Sequence, residues 1–105
     1  MKIKELFKTK KPVISFEIFP PKFDTPLETI YDSLKQFKDL NPDFISVTYG
    51  AGGSQKDRTI EISSKIKNEY DVESMAHLTC VGQSEEEIDL MLDSLQKNGI
   101  ENILA

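Results

Sequence analysis

The sequence predicts an α/β fold built on a parallel sheet, and three of its features lead to this prediction. Four short apolar segments, rich in β-branched and aromatic residues, have the pattern of strands. Three segments with apolar side chains at helical spacing separate them. The strands begin roughly thirty residues apart, which is the length of a strand with its crossover helix. Strands joined by such crossovers run parallel.

The predicted strands cover residues 13–19, 44–48, 73–80 and 102 onward. The first should end at Pro20-Pro21, because proline has no N–H to donate to a neighbouring strand. The Ile14, Phe16 and Ile18 side chains should form an apolar face on one side of this strand.

The first predicted helix begins at residues 25–28 (Thr-Pro-Leu-Glu), which combine a capping box with proline at the first helical position. It should end near Asn41-Pro42. The second helix is predicted to begin at Ser54. The third opens with residues 84–87 (Ser-Glu-Glu-Glu) and stops at Asn98-Gly99, where glycine suits a left-handed cap. The apolar stripes of all three helices are expected to pack on the sheet.

The composition argues against several classes of protein. The 105 residues suffice for one domain, and a net charge of −5 without a basic stripe argues against a nucleic-acid partner. No apolar run is long enough to cross a membrane, and the lysines near the N-terminus suggest a solvated lead-in. Cys80 is the only cysteine, which excludes an internal disulfide, fits a cytoplasmic location and predicts core packing for this side chain.

Glu17 is the most informative residue, because it interrupts an otherwise apolar strand near its carboxyl end. Burying an ionised carboxylate there would be costly unless partners compensate for the lost water. Strand alternation puts Thr48 and His77 on the same face as Glu17. Strands that are apolar toward the helices and polar on the other face favour a (β/α)₈ TIM-type barrel over a doubly wound sheet. The carboxyl ends of barrel strands hold the active site.

Each feature also has a structural interpretation. Glu17 could form an ion pair with a lysine at a sheet edge, Thr48 could bond a neighbouring main chain, and His77 could be a hydrogen-bonded interior histidine. His77 has no second histidine or cysteine at metal-ligand spacing, so a metal site is not expected. The loop at residues 50–54 (Gly-Ala-Gly-Gly-Ser) lacks a P-loop ending and fits a tight turn, while Asp57 and Arg58 could form a local ion pair.

Four motifs together resemble the N-terminal part of the 5,10-methylenetetrahydrofolate reductase family. They are residues 15–22 (Ser-Phe-Glu-Ile-Phe-Pro-Pro-Lys), 46–51 (Ser-Val-Thr-Tyr-Gly-Ala), 57–59 (Asp-Arg-Thr) and 77–80 (His-Leu-Thr-Cys). The resemblance implies a flavin-containing (β/α)₈ barrel, with residues 1–105 supplying the first three βα units and the start of the fourth strand. It also implies a homo-oligomeric full-length protein with a folate substrate.

The resemblance also implies residue roles. Glu17 matches the family's general acid, which protonates the folate N10 as the bridging ring opens to an iminium, before reduced FAD delivers hydride. Thr48 matches a residue near the nicotinamide and the flavin, while Tyr49, Ala51 and His77 match FAD contacts. The expected cofactors are therefore FAD, with NAD(P)H as the electron donor.

Three functions remain open at this point. The first is reduction of methylenetetrahydrofolate, with this chain a fragment that is inactive by itself because about half of the roughly 250 residues of a barrel are absent. The second is a related flavin barrel enzyme with another electron donor. The third is a non-catalytic half-barrel that associates with itself through its open sheet edges.

Overall fold

The computed structural model describes residues 1–22, 24–49 and 56–105. Helices and strands alternate along these residues. Their bounds are α1 (Ile3–Thr9), β1 (Ser15–Ile18), α2 (Glu28–Lys38), β2 (Phe44–Val47), α3 (Lys56–Asn68), β3 (Glu73–His77), α4 (Glu85–Lys97) and β4 (Asn102–Leu104). The α/β architecture predicted from the strand and helix patterns is therefore confirmed.

The four strands form one parallel sheet in the order β1-β2-β3-β4. The register places Glu17 of β1 beside Ser46 of β2, and Ser46 beside Met75 of β3. Each neighbouring pair in the sheet is thus also consecutive in the chain, as expected for βα units wound in one direction. All the predicted strands exist, although β1 begins later than predicted and β1, β2 and β3 end earlier.

One face of the sheet is covered by helices through two apolar clusters. The first joins β1 and β2 to α2 and α3, with Leu34 and Ile62 fully buried. The second joins β3 to α4 through Ala76, Met91 and Leu95. Because the strand residues of both clusters lie on the same side of the sheet, α2, α3 and α4 all pack on that side.

The start of α4 follows the predicted capping box. The Ser84 hydroxyl accepts a hydrogen bond from the Glu87 backbone N–H, and the Glu87 carboxylate accepts one from the Ser84 N–H, both at 3.2 Å. At the other end of this helix, Gly99 has φ of +77°. This is the left-handed conformation that glycine adopts without steric cost.

The start of α2 differs from the prediction. Leu27 occupies the N-cap position and no side chain caps the helix. The N–H groups of Thr29 and Ile30 instead bond the carbonyl oxygens of Pro26 and Leu27. Packing of Leu27 against the first apolar cluster fixes this start, which leaves Thr25 two residues before the N-cap position.

The N-terminal segment was predicted as a solvated lead-in, and this is wrong, because it contains α1. Ile3 is buried, and its N–H donates to Asn102 Oδ1 at 2.8 Å. The Asn102 amide in turn donates to the Met1 carbonyl oxygen at 2.8 Å. These bonds hold α1 beside the amino end of β4.

Two predictions about individual side chains are also wrong. Cys80 is exposed instead of packed in the core, because β3 ends at His77 and Cys80 belongs to the following loop. Ile14 is 52% exposed instead of facing the helices, because β1 begins only at Ser15.

A buried carboxylate lies at the amino end of β3. Glu73 accepts hydrogen bonds from Lys67 Nζ at 2.6 Å and from the Met1 ammonium at 2.9 Å. Asn102 Nδ2 donates to its other oxygen at 3.2 Å. Burial alone would raise the pKa of Glu73, but the bonds from Lys67 and the N-terminus outweigh burial and leave the pKa below its usual range.

Candidate active site at the carboxyl ends of the strands

Side chains from three strands meet on the sheet face opposite the helices. The Ser46 hydroxyl donates to Glu17 Oε2 at 3.2 Å. His77 Nε2 lies 3.6 Å from the same oxygen. Parallel register explains the first contact, and alternation along β3 explains the second, because His77 is two residues beyond the partner of Ser46. The predicted juxtaposition of Glu17 and His77 is therefore present.

The Glu17 side chain is more exposed to solvent than its place in an apolar strand suggested. Its side chain is 50% exposed, compared with 20% for His77. Among the described residues no lysine pairs with it, so the alternative of a lysine ion pair at the sheet edge is not what this part of the structure shows. The carboxylate is instead accessible from the open face, with one oxygen oriented by Ser46.

The His77 imidazole has a polar atom without a partner. Its Nε2 is buried, and no hydrogen bond to it occurs among the described residues. The 3.6 Å separation from Glu17 Oε2 is longer than a hydrogen bond. Because buried polar atoms in native proteins are nearly always paired, this nitrogen is suited to contact a bound molecule or a further residue.

Thr48 is held at the end of β2 through its main chain. Its N–H donates to the Ile18 carbonyl oxygen at 3.0 Å. Its own carbonyl oxygen accepts a hydrogen bond from Thr59 Oγ1 at 2.9 Å. Thr48 is thereby fixed next to β1 and close to the carboxyl end of the strand that carries Glu17.

The Tyr49 side chain is not brought together with Glu17 and His77. It is buried in the second apolar cluster, on the helix side of the sheet, and its hydroxyl accepts a hydrogen bond from Gln83 Nε2 at 2.8 Å. Any ligand contact at this residue would therefore come from its main chain. Ala51 and the rest of the loop at 50–54, with the predicted helix start at Ser54, lie outside the described residues, as does the Asp57 side chain.

Two residues of this region were missed as functional candidates. Ser46 could have been found, because strand alternation already placed it on the face of Glu17. Arg58 could not, because its contacts are with backbone carbonyl oxygens of residues far away in the sequence.

The described part of the chain supports neither a metal site nor a membrane-spanning helix. No group of three or more histidine, cysteine, aspartate or glutamate side chains there could hold a metal ion. No described helix is long and apolar enough to cross a membrane.

The comparison with known proteins agrees with the motifs. The family model for methylenetetrahydrofolate reductase matches residues 2–105. The chain is 40% identical over 104 residues to "Methylenetetrahydrofolate reductase (NADH) 1" of Arabidopsis thaliana, covering 99% of this chain and 18% of that protein. It is 37% identical over 92 residues to "5,10-methylenetetrahydrofolate reductase" of Escherichia coli (strain K12), covering 88% and 31% respectively.

A third relative is "Methylenetetrahydrofolate reductase 1" of Schizosaccharomyces pombe, which is 37% identical over 97 residues. That match covers 91% of this chain and 16% of the relative, so the chain spans less than a third of the length of each of these three proteins. The family model nevertheless covers nearly every residue of the chain. The chain therefore belongs to the methylenetetrahydrofolate reductase family.

Proposed function

We propose that the full-length gene product reduces 5,10-methylenetetrahydrofolate to 5-methyltetrahydrofolate in the cytoplasm, with FAD as cofactor and NADH as electron donor. The observation that carries the proposal is the convergence of Glu17, Ser46 and His77 at the carboxyl ends of three successive parallel strands. Family membership supports the reaction, and the name of the Arabidopsis relative supports NADH as the donor.

The fold that would hold this site is a (β/α)₈ barrel, to which residues 1–105 contribute the first strands and helices. Two observations support it. The strand order follows the chain order without a reversal, whereas a doubly wound sheet requires one. The α2, α3 and α4 helices pack on a single face, which leaves the polar face of the sheet free to line the barrel interior.

Glu17 is the group that transfers a proton to the substrate. A half-exposed carboxyl group on the open face can reach a folate molecule bound over the strand ends. The hydrogen bond from Ser46 engages Oε2, so the other oxygen is the one proposed to meet the substrate. In this arrangement Glu17 protonates the folate nitrogen N10, so that the bond between N10 and the bridging carbon can break.

The described residues fit a flavin at two positions. His77 Nε2 is the buried atom without a partner, and a polar atom of the isoalloxazine ring or its side chain would satisfy it. Thr48 is at the adjoining strand end, and Tyr49, whose side chain is buried among the helices, would contribute a main-chain contact. Ala51, outside the described residues, is proposed as a further flavin contact from the family resemblance alone. Bound FAD, once reduced by NADH, would supply the hydride that reduces the bridging carbon of the folate.

The proposal is tested with Glu17→Gln in the full-length gene product. Folate reduction should fall by about 10²–10⁴-fold, the usual contribution of a general acid. Flavin content and the rate at which NADH reduces the flavin should stay unchanged, because neither step needs this proton. Glu28→Gln is the matched control, since Glu28 is an exposed glutamate in the first turn of α2. Wild-type folate reduction by Glu17→Gln would refute the assignment, and a wild-type protein without flavin would refute the function.

A further inference from the structure

The first described turn of α3 is bonded to the chain segments that follow β1 and β2. Arg58 Nη1 lies within hydrogen-bond distance of three backbone carbonyl oxygens, at 3.2 Å from Pro21, 3.0 Å from Lys22 and 2.7 Å from Thr25. The next residue, Thr59, is buried and donates to the Thr48 carbonyl oxygen at 2.9 Å. Two consecutive residues thus fix the carboxyl ends of two neighbouring strands.

The Arg58 contacts are suited to holding a loop in one position. The segment after β1 leaves the sheet at Pro20, so its carbonyl oxygens have no strand partner. Buried or partly buried carbonyl groups need donors, and a guanidinium supplies several in a rigid planar arrangement. Bonds from a charged donor are also about twice as strong as bonds between neutral groups.

The segment that Arg58 holds is coupled to Glu17. Pro20 and Pro21 connect β1 to this segment, and each proline ring restricts φ to a narrow range. Pro20 is also buried, which limits its movement further. A displacement of Pro21 and Lys22 is therefore transmitted to the end of β1, where Glu17 and Ser46 make their contact.

We propose that Arg58 is a positioning residue for Glu17, acting through its bonds to Pro21, Lys22 and Thr25 beyond the end of β1. The inference rests on the proposed function, because the positioned group is the proposed proton donor. Arg58 has no role in the chemistry itself; its effect is on the placement of the carboxyl group relative to the substrate. A misplacement of about 1 Å is enough to lower a rate by about 100-fold.

The experiment compares Arg58→Met with Arg58→Lys in the full-length gene product. Lys35→Met is the matched control, because Lys35 is an exposed cation of α2 for which the described residues show no ion pair or hydrogen bond. Three quantities are measured: the rate at which a lysine-specific protease cleaves after Lys22, the flavin content, and kcat and KM for folate reduction. Lys22 is exposed and provides its own carbonyl oxygen to Arg58, so this cleavage reports directly on release of the loop.

Arg58→Met should accelerate cleavage after Lys22 by at least about tenfold, the effect of losing one charged hydrogen bond. Its kcat should fall by about 100-fold with flavin content retained and KM changed much less. Arg58→Lys should recover part of the rate, because it keeps the charge but not the planar fork. Lys35→Met should match the wild type in all three measurements.

Unchanged cleavage after Lys22 in Arg58→Met would overturn the inference. So would a loss of kcat that only follows a loss of flavin or of thermal stability, because that result assigns Arg58 to folding alone. Failure of the proposed function gives a different result, since the wild-type protein would then lack folate reduction. An active wild type with an equally active Arg58→Met refutes the positioning role and leaves the function standing.

Discussion

Replacement of Glu73 by glutamine should lower the free energy of unfolding of the full-length gene product by about 2–3 kcal/mol. The side chain is only 5% exposed and accepts bonds from two cations, Lys67 at 2.6 Å and the Met1 ammonium at 2.9 Å. Glutamine keeps the shape but removes the charge. Two charged hydrogen bonds would be worth about 3–6 kcal/mol. The lower figure is expected because Met1 is 53% exposed and water can replace its bond.

The same carboxyl group should make stability depend on pH. Burial would raise the pKa of Glu73, but the bonds from Lys67 and the N-terminus hold it below its ordinary value of 4.5. A pKa that is lower in the folded than in the unfolded state means that the ionised group stabilises the fold. This contribution is complete above pH 4.5 and is lost as the pH falls through the folded-state pKa. The difference between wild type and Glu73→Gln should therefore shrink only in acid.

Urea unfolding at a series of pH values measures both effects, with Glu101→Gln as the control. Glu101 pairs with the same ammonium at 2.6 Å, but its side chain is 52% exposed, so its replacement should leave stability unchanged. The reasoning is refuted if the two variants lose equal stability. It is also refuted if the loss in Glu73→Gln persists undiminished below the pH at which the wild-type carboxylate becomes protonated.

Three other substitutions should lower the stability of the same protein, each through a different physical cause. Leu34→Ala should lower the free energy of unfolding in urea by about 2–5 kcal/mol, because Leu34 is fully buried. Leu40→Ala, at a 65% exposed site, is the control and should leave stability unchanged. Equal losses of stability in the two variants would contradict this prediction. Ser84→Ala should cost about 1 kcal/mol by removing the capping box of α4, and an unchanged thermal midpoint would count against it. Gly99→Ala should cost about 1–2 kcal/mol of stability, because a φ of +77° is strained for alanine. The added Cβ itself would not clash, since the nearest side-chain atom lies 3.8 Å from it. Full stability of this variant in thermal unfolding would contradict the strain.

Local patterns predicted most of the fold, because the elements are largely determined by residues close in sequence. Ser84 with Glu87 and Gly99 marked both ends of α4, and the structure has them as expected. The start of α2 was wrong because packing of Leu27 against the core outweighed the capping signal at Thr25. The α1 helix was missed because the lysines of this segment suggested a solvated chain, although Ile3, Leu6 and Phe7 have apolar spacing typical of a helix.

The candidate site was predictable to the extent that strand alternation determines it. Glu17 and His77 could be placed on one face without knowing the register, and Ser46 followed from the same rule. Alternation continued past Val47 puts the Tyr49 side chain with Ile45 and Val47 on the helix side, which is where it lies. Arg58 lies in the 57–59 motif, but its acceptors could not be predicted, since they are main-chain atoms that only the folded chain brings close to it.

The order of the strands has a consequence for how the site forms during folding. Ser46 is 29 residues from Glu17, and His77 is contributed only by the third strand. The contact of all three therefore requires two successive crossovers to close, and α3 lies between the strands that must dock. Loop closure over such separations is slower than local helix formation. A substitution that delays docking of α3 would thus slow the appearance of activity during refolding, while the molecules that have acquired the site would work at the normal rate.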